Sequence, residues 1–246
     1  MKSASVPSDT WSKEDLPHPI KLSVIFPAYN EEQNIGRAVD SALGVLEKIA
    51  DNYEVIVVND GSRDSTEKIV QQIYGHNGLV RLISHRRNIG YGGSLRSGLE
   101  SARYDLIFFT DADLQFDLNE ILNLLRWIQE YDLVIGYRLK RSEGIRRRFY
   151  AWGWGLLIRL LFDLKVKDID CAFKLFRKQV FEKISVSSLG AFINSEILIR
   201  AKKCGFTVKE VPVSHYPRLA GKGSGARLKT IYKAFHELFK LYRELK

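Results

Sequence analysis

The sequence predicts an α/β domain: a mostly parallel β-sheet covered by helices on both faces, with amphipathic helices at the C-terminal end. Three observations predict it. Short runs rich in Val, Ile and Phe alternate with stretches of helical spacing between residues 22 and 135. The runs are apolar throughout rather than at every second position, the pattern of strands buried on both faces. Several runs end in Pro, Asn, Asp or Gly, residues that turn a chain out of a strand.

Leu22–Phe26 reads as the first strand, stopped by Pro27. Asn34–Ile49 follows as a helix, with Ile35, Val39, Leu43 and Leu46 on one face. Glu54–Val58 is a strand ending at Asn59-Asp60-Gly61, Ser65–Tyr74 a helix, and Leu79–Ile83 a strand. Ser94–Ala102 is a helix, Asp105–Phe109 a strand ending at Asp111, Leu118–Glu130 a helix and Asp132–Ile135 a strand. Beyond residue 136 comes a basic loop, then a helical stretch rich in Trp, Phe and Leu. A short strand at Cys171–Phe176, a helix at Ser195–Lys203 and a strand at Thr207–Val211 complete the body. Gly221–Gly225 is a loop, and from Arg227 a helix places Leu228, Ile231, Phe235, Leu238 and Tyr242 at three-four spacing among lysines. Residues 1–19 read as a flexible tail without the apolar stretch of a secretory signal, 20–225 as the main domain and 226–246 as the C-terminal helix.

Composition narrows the function. With 45% hydrophobic and 27% charged residues, the chain is neither low-complexity nor disordered as a whole. Its two cysteines, Cys171 and Cys204, form no CxxC and support neither a zinc site nor a disulfide framework. A formal charge of +9 favours an anionic partner. Much of the excess lies between Arg138 and Arg148, where six basic residues accompany one acid. That run is either a solvated face or a site for phosphate. It precedes the aromatic stretch 149–158, a juxtaposition suited to a membrane interface but also to internal packing or a dimer contact. The C-terminal helix is open to the same two readings, on a membrane or on the domain. No segment reaches the roughly 18 apolar residues of a membrane span.

In an open parallel sheet, ligands bind beyond the carboxyl ends of the strands. Three strand ends carry polar groups there: Pro27–Glu31, Asn59–Ser62 and Asp111–Asp113. Each alone could be a turn; together they point to a site. Asp111 and Asp113, two residues apart, can share a hard cation such as Mg2+, which takes one or two carboxylates and completes its shell with water and phosphate. Gln115 can add an oxygen.

These residues carry a resemblance. The runs Phe26–Glu32, Val57–Thr66, Arg87–Gly90, Asp111–Gln115, Lys167–Lys174 and Glu210–Val213 resemble, in order and spacing, the family-2 glycosyltransferases of the GT-A (Rossmann-like) fold, in the dolichol-phosphate mannose synthase-like branch. The resemblance covers about residues 20–225. It implies a metal-dependent, inverting hexosyltransferase that moves a sugar from a UDP- or GDP-linked donor to a polyprenyl or dolichyl phosphate. It implies that Pro27, Tyr29, Glu31, Asp60, Asp111 and Ala112 bind the nucleotide, with Asp60 at the base edge. Asp111, Asp113 and Gln115 would hold Mg2+ or Mn2+. Asp113 and Arg138 would be catalytic, and Arg138, Arg148, Arg218, Lys222 and Ser224 would receive the diphosphate and the acceptor phosphate. The family often has two aspartates before Gly-Ser; here the first is Asn59.

A lipid phosphate is already an anionic nucleophile, so such an acceptor needs no strong base. A hydroxyl acceptor would need one, and Asp170 and Glu196 are the candidates. The reading implies peripheral attachment to the cytoplasmic face of a membrane, directly or through a membrane partner protein. A nicotinamide enzyme is disfavoured because Pro27-Ala28-Tyr29-Asn30, not GxGxxG, follows the first strand. A nucleic-acid-binding module lacks any recognisable motif, so no nucleic-acid partner is expected. A non-catalytic sugar-nucleotide sensor would not need the intact Asp60, Asp111, Asp113 and Arg138.

Overall fold

The computed structural model describes residues 16, 18–139, 145–218, 220 and 228–246, with the backbone alone for 145–151 and 228–231. Seven strands form one sheet: β1 (Lys21–Ala28), β2 (Asn52–Asn59), β3 (Val80–Ser84), β4 (Leu106–Thr110), β5 (Leu133–Arg138), β6 (Phe173–Arg177) and β7 (Val208–Val213). Their order is β3-β2-β1-β4-β6-β5-β7. All neighbours pair in parallel except at β6, which runs antiparallel to both β4 and β5. The carboxyl ends of the six parallel strands therefore share one edge of the sheet. Because β6 is reversed, its start reaches that edge too, with Phe173 opposite Thr110.

Among the described residues the helices are α1 (Ile35–Ile49), α2 (Thr66–Tyr74), α3 (Tyr91–Ser101), α4 (Ile121–Leu125), α5 (Ile145–Phe162), α6 (Gln179–Lys183), α7 (Ile193–Lys203) and α8 (Leu228–Leu245). The strand pleat divides the core. Val24, Phe26, Val55, Val57 and Phe108 point to one face, under α1, α2 and α4. Ile25, Ile56, Val58, Ile107 and Phe109 point to the other, with α3, α5, α7 and α8. Burying both faces removes several thousand Å² of apolar surface from water in domains of this size, the main term favouring the fold.

Tertiary contacts move three boundaries. The helix expected at Leu118–Glu130 is one 3-10 turn (Leu118–Glu120) and the short α4, followed by turns. Trp127 N donates to Leu124 O at 3.1 Å and Ile128 N to Leu125 O at 3.3 Å, so the coil tightens while the same side chains stay in the core. Helix α3 starts at Tyr91 rather than Ser94, because Gly92 must lie close to another loop. A Cβ on Gly92 would stand 2.3 Å from the Ser188 carbonyl oxygen. Within the expected N-terminal tail, Leu16 is 5% exposed and packs into the core, so order begins before residue 20. Residues 1–15 and 17 of that tail, and residues 140–144 of the basic run, lie outside the described residues.

Candidate functional site

The first two strand ends are tied into one unit. Asn30 N donates to Ser62 Oγ at 2.9 Å, and Arg63 N donates to Asn30 Oδ1 at 2.8 Å. Glu31 N donates to Thr66 Oγ1 at 2.8 Å, and Ser65 N to Glu32 Oε2 at 2.9 Å. Beside this unit lies a cavity of about 500 Å³, lined by Tyr29, Gly61, Ser62, Arg63, Glu67 and the run Ser84–Asn88. Gly61 has φ +64°, and a Cβ there would sit 2.7 Å from the Arg87 carbonyl carbon, so glycine lets the 85–90 loop close on the β2 end.

Asp60 holds that loop. It is 3% exposed; Oδ1 accepts from Ile89 N at 2.9 Å and Oδ2 from Gly90 N at 2.9 Å. His85 Nδ1 also lies 2.9 Å from Oδ1. Both oxygens are thus engaged internally, and Asp60 acts as a clamp on the cavity wall rather than pointing freely at a base. Pro27, expected to line the nucleotide pocket, is buried within β1 opposite Val58. Tyr29, at 39% exposure, does face the cavity.

At the end of β4, Asp111 and Asp113 flank the buried Ala112. Asp111 Oδ1 and the Tyr91 hydroxyl are buried without a hydrogen-bond partner among the described residues. Burial, and next the charge of Asp113, push the Asp111 carboxyl up to about 7; the neighbouring Tyr91 hydroxyl and, after it, Lys174 oppose the rise. Asp113 is also raised by burial, against the pull of Arg218 and of the Gln115 N–H, which donates to Asp113 Oδ1 at 3.2 Å. Arg218 bridges two strand ends: it pairs with Glu31 and places Nη1 3.5 Å from Asp113 Oδ2. Asn34 Nδ2 donates to the other Glu31 oxygen at 2.7 Å. Gln115 turns its amide N–H onto the Tyr216 carbonyl at 2.9 Å, fixing the segment that carries Arg218.

Two adjacent carboxylates, one with a buried oxygen lacking a partner, suit a hard divalent cation. No group of three or more His, Cys, Asp or Glu side chains forms a metal site among the described residues, so a cation held by these two would take its other ligands from substrate and water.

Arg138 turns inward. Its side chain is 9% exposed and forms a bidentate pair with the buried Asp168, Nε to Oδ2 at 2.7 Å and Nη2 to Oδ1 at 2.9 Å. The resemblance implies a phosphate-facing arginine; the structure gives it a carboxylate that joins the end of β5 to the segment before β6. Glu196 is likewise no free base. It is 1% exposed and accepts from Ser187 N, Ser188 N and Arg200 Nε. Burial alone would raise its carboxyl, but these hydrogen bonds from Ser188, Arg200 and Ser187 outweigh it and hold it low. Asp170 is exposed. Lys222 and Ser224, the side chains of Arg146–Arg148 and the Gly221–Gly225 loop lie outside the described residues.

Lys174 carries no role in the sequence reading beyond its place in a motif. It is fully buried in β6, donating to the carbonyls of Ile169 and Cys171 and to Asn194 Oδ1 at 3.2 Å. A lysine in an apolar strand is the signal for such a partner set, but the turn just before β6 and Asn194 of α7 come together on it only in the fold.

A family model described as glycosyl transferase family 2 matches residues 23–185. Glycosyltransferase AglD of Haloferax volcanii is 32% identical over 213 residues, covering 81% of this chain and 34% of that protein. A dodecaprenyl-phosphate galacturonate synthase of Rhizobium johnstonii is 28% identical over 209 residues, covering 82% and 61%. A dolichyl-phosphate beta-glucosyltransferase of Trichomonas vaginalis is 30% identical over 229 residues, covering 82% and 67%. The chain thus spans about a third and about six tenths of the first two. Among solved structures, mannosyl-3-phosphoglycerate synthase from Rubrobacter xylanophilus superposes with a TM-score of 0.74 at 16% identity, covering 95% of this chain and 80% of that one. Glucosyl-3-phosphoglycerate synthase from Mycobacterium tuberculosis, in complex with Mn2+ and UDP-glucose, gives 0.69 at 20%, covering 94% and 82%. These likenesses show the fold, the GT-A architecture.

Proposed function

Because the chain belongs to glycosyl transferase family 2, we propose that it moves a hexose from a nucleotide sugar to a polyprenyl or dolichyl phosphate, with inversion. The observation that carries this reading is the convergence of the β1, β2 and β4 ends. A nucleoside-sized cavity there stands beside two carboxylates and an arginine. The base occupies the cavity between Tyr29 and the 85–90 loop, and the diphosphate extends toward Asp111, Asp113 and Arg218. Asp111 and Asp113 would hold Mg2+ or Mn2+ against the diphosphate. When bound, that ion supplies Lewis-acid stabilisation of the charge on the leaving group.

The acceptor phosphate oxygen bonds to the anomeric carbon as the bond from that carbon to the diphosphate oxygen breaks. Arg218, a guanidinium already placed among the strand ends, stabilises the developing charge. An ionised lipid phosphate brings no proton to remove, which agrees with Glu196 being committed to a loop. The Arg138–Asp168 pair keeps the β5 end and the segment before β6 in register beside the site.

Exposed apolar side chains support a lipid acceptor. Trp152 (64% exposed), Leu156 and Leu160 (74%) line one side of α5, and Tyr232 (75%), Phe235 and Phe239 line α8. The two helices touch through Trp154 and Phe235, ring centroids 5.4 Å apart, with Trp154 on the side of α5 turned away from its exposed stripe. Lys233, Lys240 and Arg243 are exposed near them, suiting the anionic cytoplasmic leaflet. Among the described residues no helix is long and apolar enough to cross a membrane. The test is the initial rate with nucleotide sugars and Mn2+, using a short polyprenyl phosphate and the matching alcohol. Turnover of the phosphate alone is expected; equal use of the alcohol would move the acceptor to a hydroxyl.

A further inference from the structure

His85 sits at the carboxyl end of the strand β3, outside every motif that marks the donor site, yet it is wired into it. It lines the 500 Å³ cavity and is 14% exposed at the side chain. Its Nδ1 lies 2.9 Å from Asp60 Oδ1 and its Nε2 lies 2.9 Å from Ser97 Oγ on α3. Its own backbone N donates to Asn59 O at 2.9 Å, so main chain and ring are both held.

The partners fix the proton. An ionised carboxylate only accepts, so Nδ1 carries the hydrogen that faces Asp60. The neutral ring then presents its Nε2 lone pair to the Ser97 hydroxyl, which can donate. Asp60 in turn accepts from Ile89 N and Gly90 N. The chain Ser97–His85–Asp60 thus ends on the backbone of the loop that walls the cavity.

We propose that His85 is a positioning residue for the nucleotide base, acting through Asp60, with Ser97 selecting its tautomer. This rests on the nucleotide-sugar reading and adds residues to the same site. Without the Nδ1–H donor, Asp60 keeps its charge in a buried place with one fewer partner, and the 86–90 loop loses its fixed distance from Gly61. The effect falls on the base and spares the phosphates, which are bound at the ends of β1 and β4.

That separation gives the test. Binding of UDP, GDP and Mn2+–pyrophosphate is measured by calorimetry on the full chain and on His85→Phe, His85→Asn, His85→Gln and Ser97→Ala, each checked for an unchanged melting profile. His85→Phe keeps the ring and loses both nitrogens; its affinity for the preferred nucleotide is expected to fall about tenfold or more, the scale of a lost charged hydrogen bond, with pyrophosphate binding unchanged. His85→Asn places an amide N–H where Nδ1 was and should restore most of the loss. His85→Gln reaches toward Ser97 instead and should not. In 15N spectra of the unaltered chain His85 should show the Nδ1–H tautomer, lost or mixed in Ser97→Ala. Equal loss of nucleotide and pyrophosphate in His85→Phe, or no loss of either, overturns the positioning role. So does labelling of Ser97 by a fluorophosphonate, which would make it a nucleophile. If His85→Phe fails to fold, the Asn–Gln contrast and the tautomer decide. If the unaltered chain binds pyrophosphate but neither nucleotide, the nucleotide-sugar reading itself fails.

Discussion

Asn59 and Asp113 show how differently single residues enter this site. Asp113 is visible in the sequence as half of a carboxylate pair after a strand, and the structure places it within reach of Arg218. Replacing it with Ala should cut turnover about 10²–10³-fold, the scale for losing one electrostatic stabiliser, while the melting temperature holds. Chelation by EDTA should do the same; activity surviving both would remove the cation from the reaction. Asn59 stands where the family resemblance implies an aspartate, and its reason is hidden until α2 is placed. It is fully buried and donates Nδ2 to Glu67 Oε2 at 3.1 Å, while Glu67 Oε1 accepts from Ser84 Oγ at 2.8 Å. An aspartate there would set two carboxylates face to face. Asn59→Asp should therefore destabilise the fold by about 1–3 kcal/mol, more at high pH than at low, as read from denaturant melts across pH. Sequence alone displays the donors and acceptors of such a site but not who meets whom: Asp60 and Arg138 read as groups facing substrate, and both are engaged by protein.

The loop at 187–190 illustrates what an element does that its residues do not announce. Glu196 of α7 holds Ser187 and Ser188, and Glu237 of α8 accepts from Leu189 N at 3.0 Å. The Leu189 carbonyl then receives Gly92 N at 2.9 Å, at the start of α3. Because the Glu196 carboxyl lies below its ordinary value of 4.5 in the fold, ionised Glu196 stabilises the native state above that pH. The contribution is lost as pH falls through the folded value. Glu196→Gln should lower stability at neutral pH by an amount that shrinks on acidification, so the two melting curves converge in acid. A constant difference at all pH values would assign the effect to packing. The periodicity of the sequence locates α7 to within a few residues. It does not locate the short α6, whose five residues carry too little pattern, nor the tight coil after α4, because 3-10 and α spacing bury the same side chains.

For the molecule as a whole, the sheet was legible because buried parallel strands write themselves as unbroken apolar runs. The order of its strands was not, since nothing local in residues 171–176 says that they enter between two earlier strands. The contact between α5 and α8 also exists only in the assembled protein: Trp154 of the aromatic stretch packs on Phe192 and Phe235, while Trp152 and Leu160 stay outside. Binding to vesicles containing anionic lipid is expected, weakening with added salt as charges are screened beyond about 8 Å. Trp152→Glu with Leu160→Glu should reduce that binding severalfold while leaving nucleotide affinity unchanged, measured by vesicle flotation and calorimetry. Undiminished flotation of the double variant would place the contact elsewhere.

The reversed strand has a consequence for how the protein is made. β5 pairs with β6 and β7 and with neither β1 nor β4, so residues 133–138 have no sheet partner until residue 173 has been synthesised. The β1–β4 half can assemble on the ribosome as it emerges, whereas β5 waits through the whole length of α5 as an unpaired apolar segment. Non-local pairings of this kind close slowly and expose sticky surface meanwhile. In refolding followed by pulsed hydrogen exchange, amides of β1, β2 and β4 should gain protection before those of β5, and β5 and β6 should do so together.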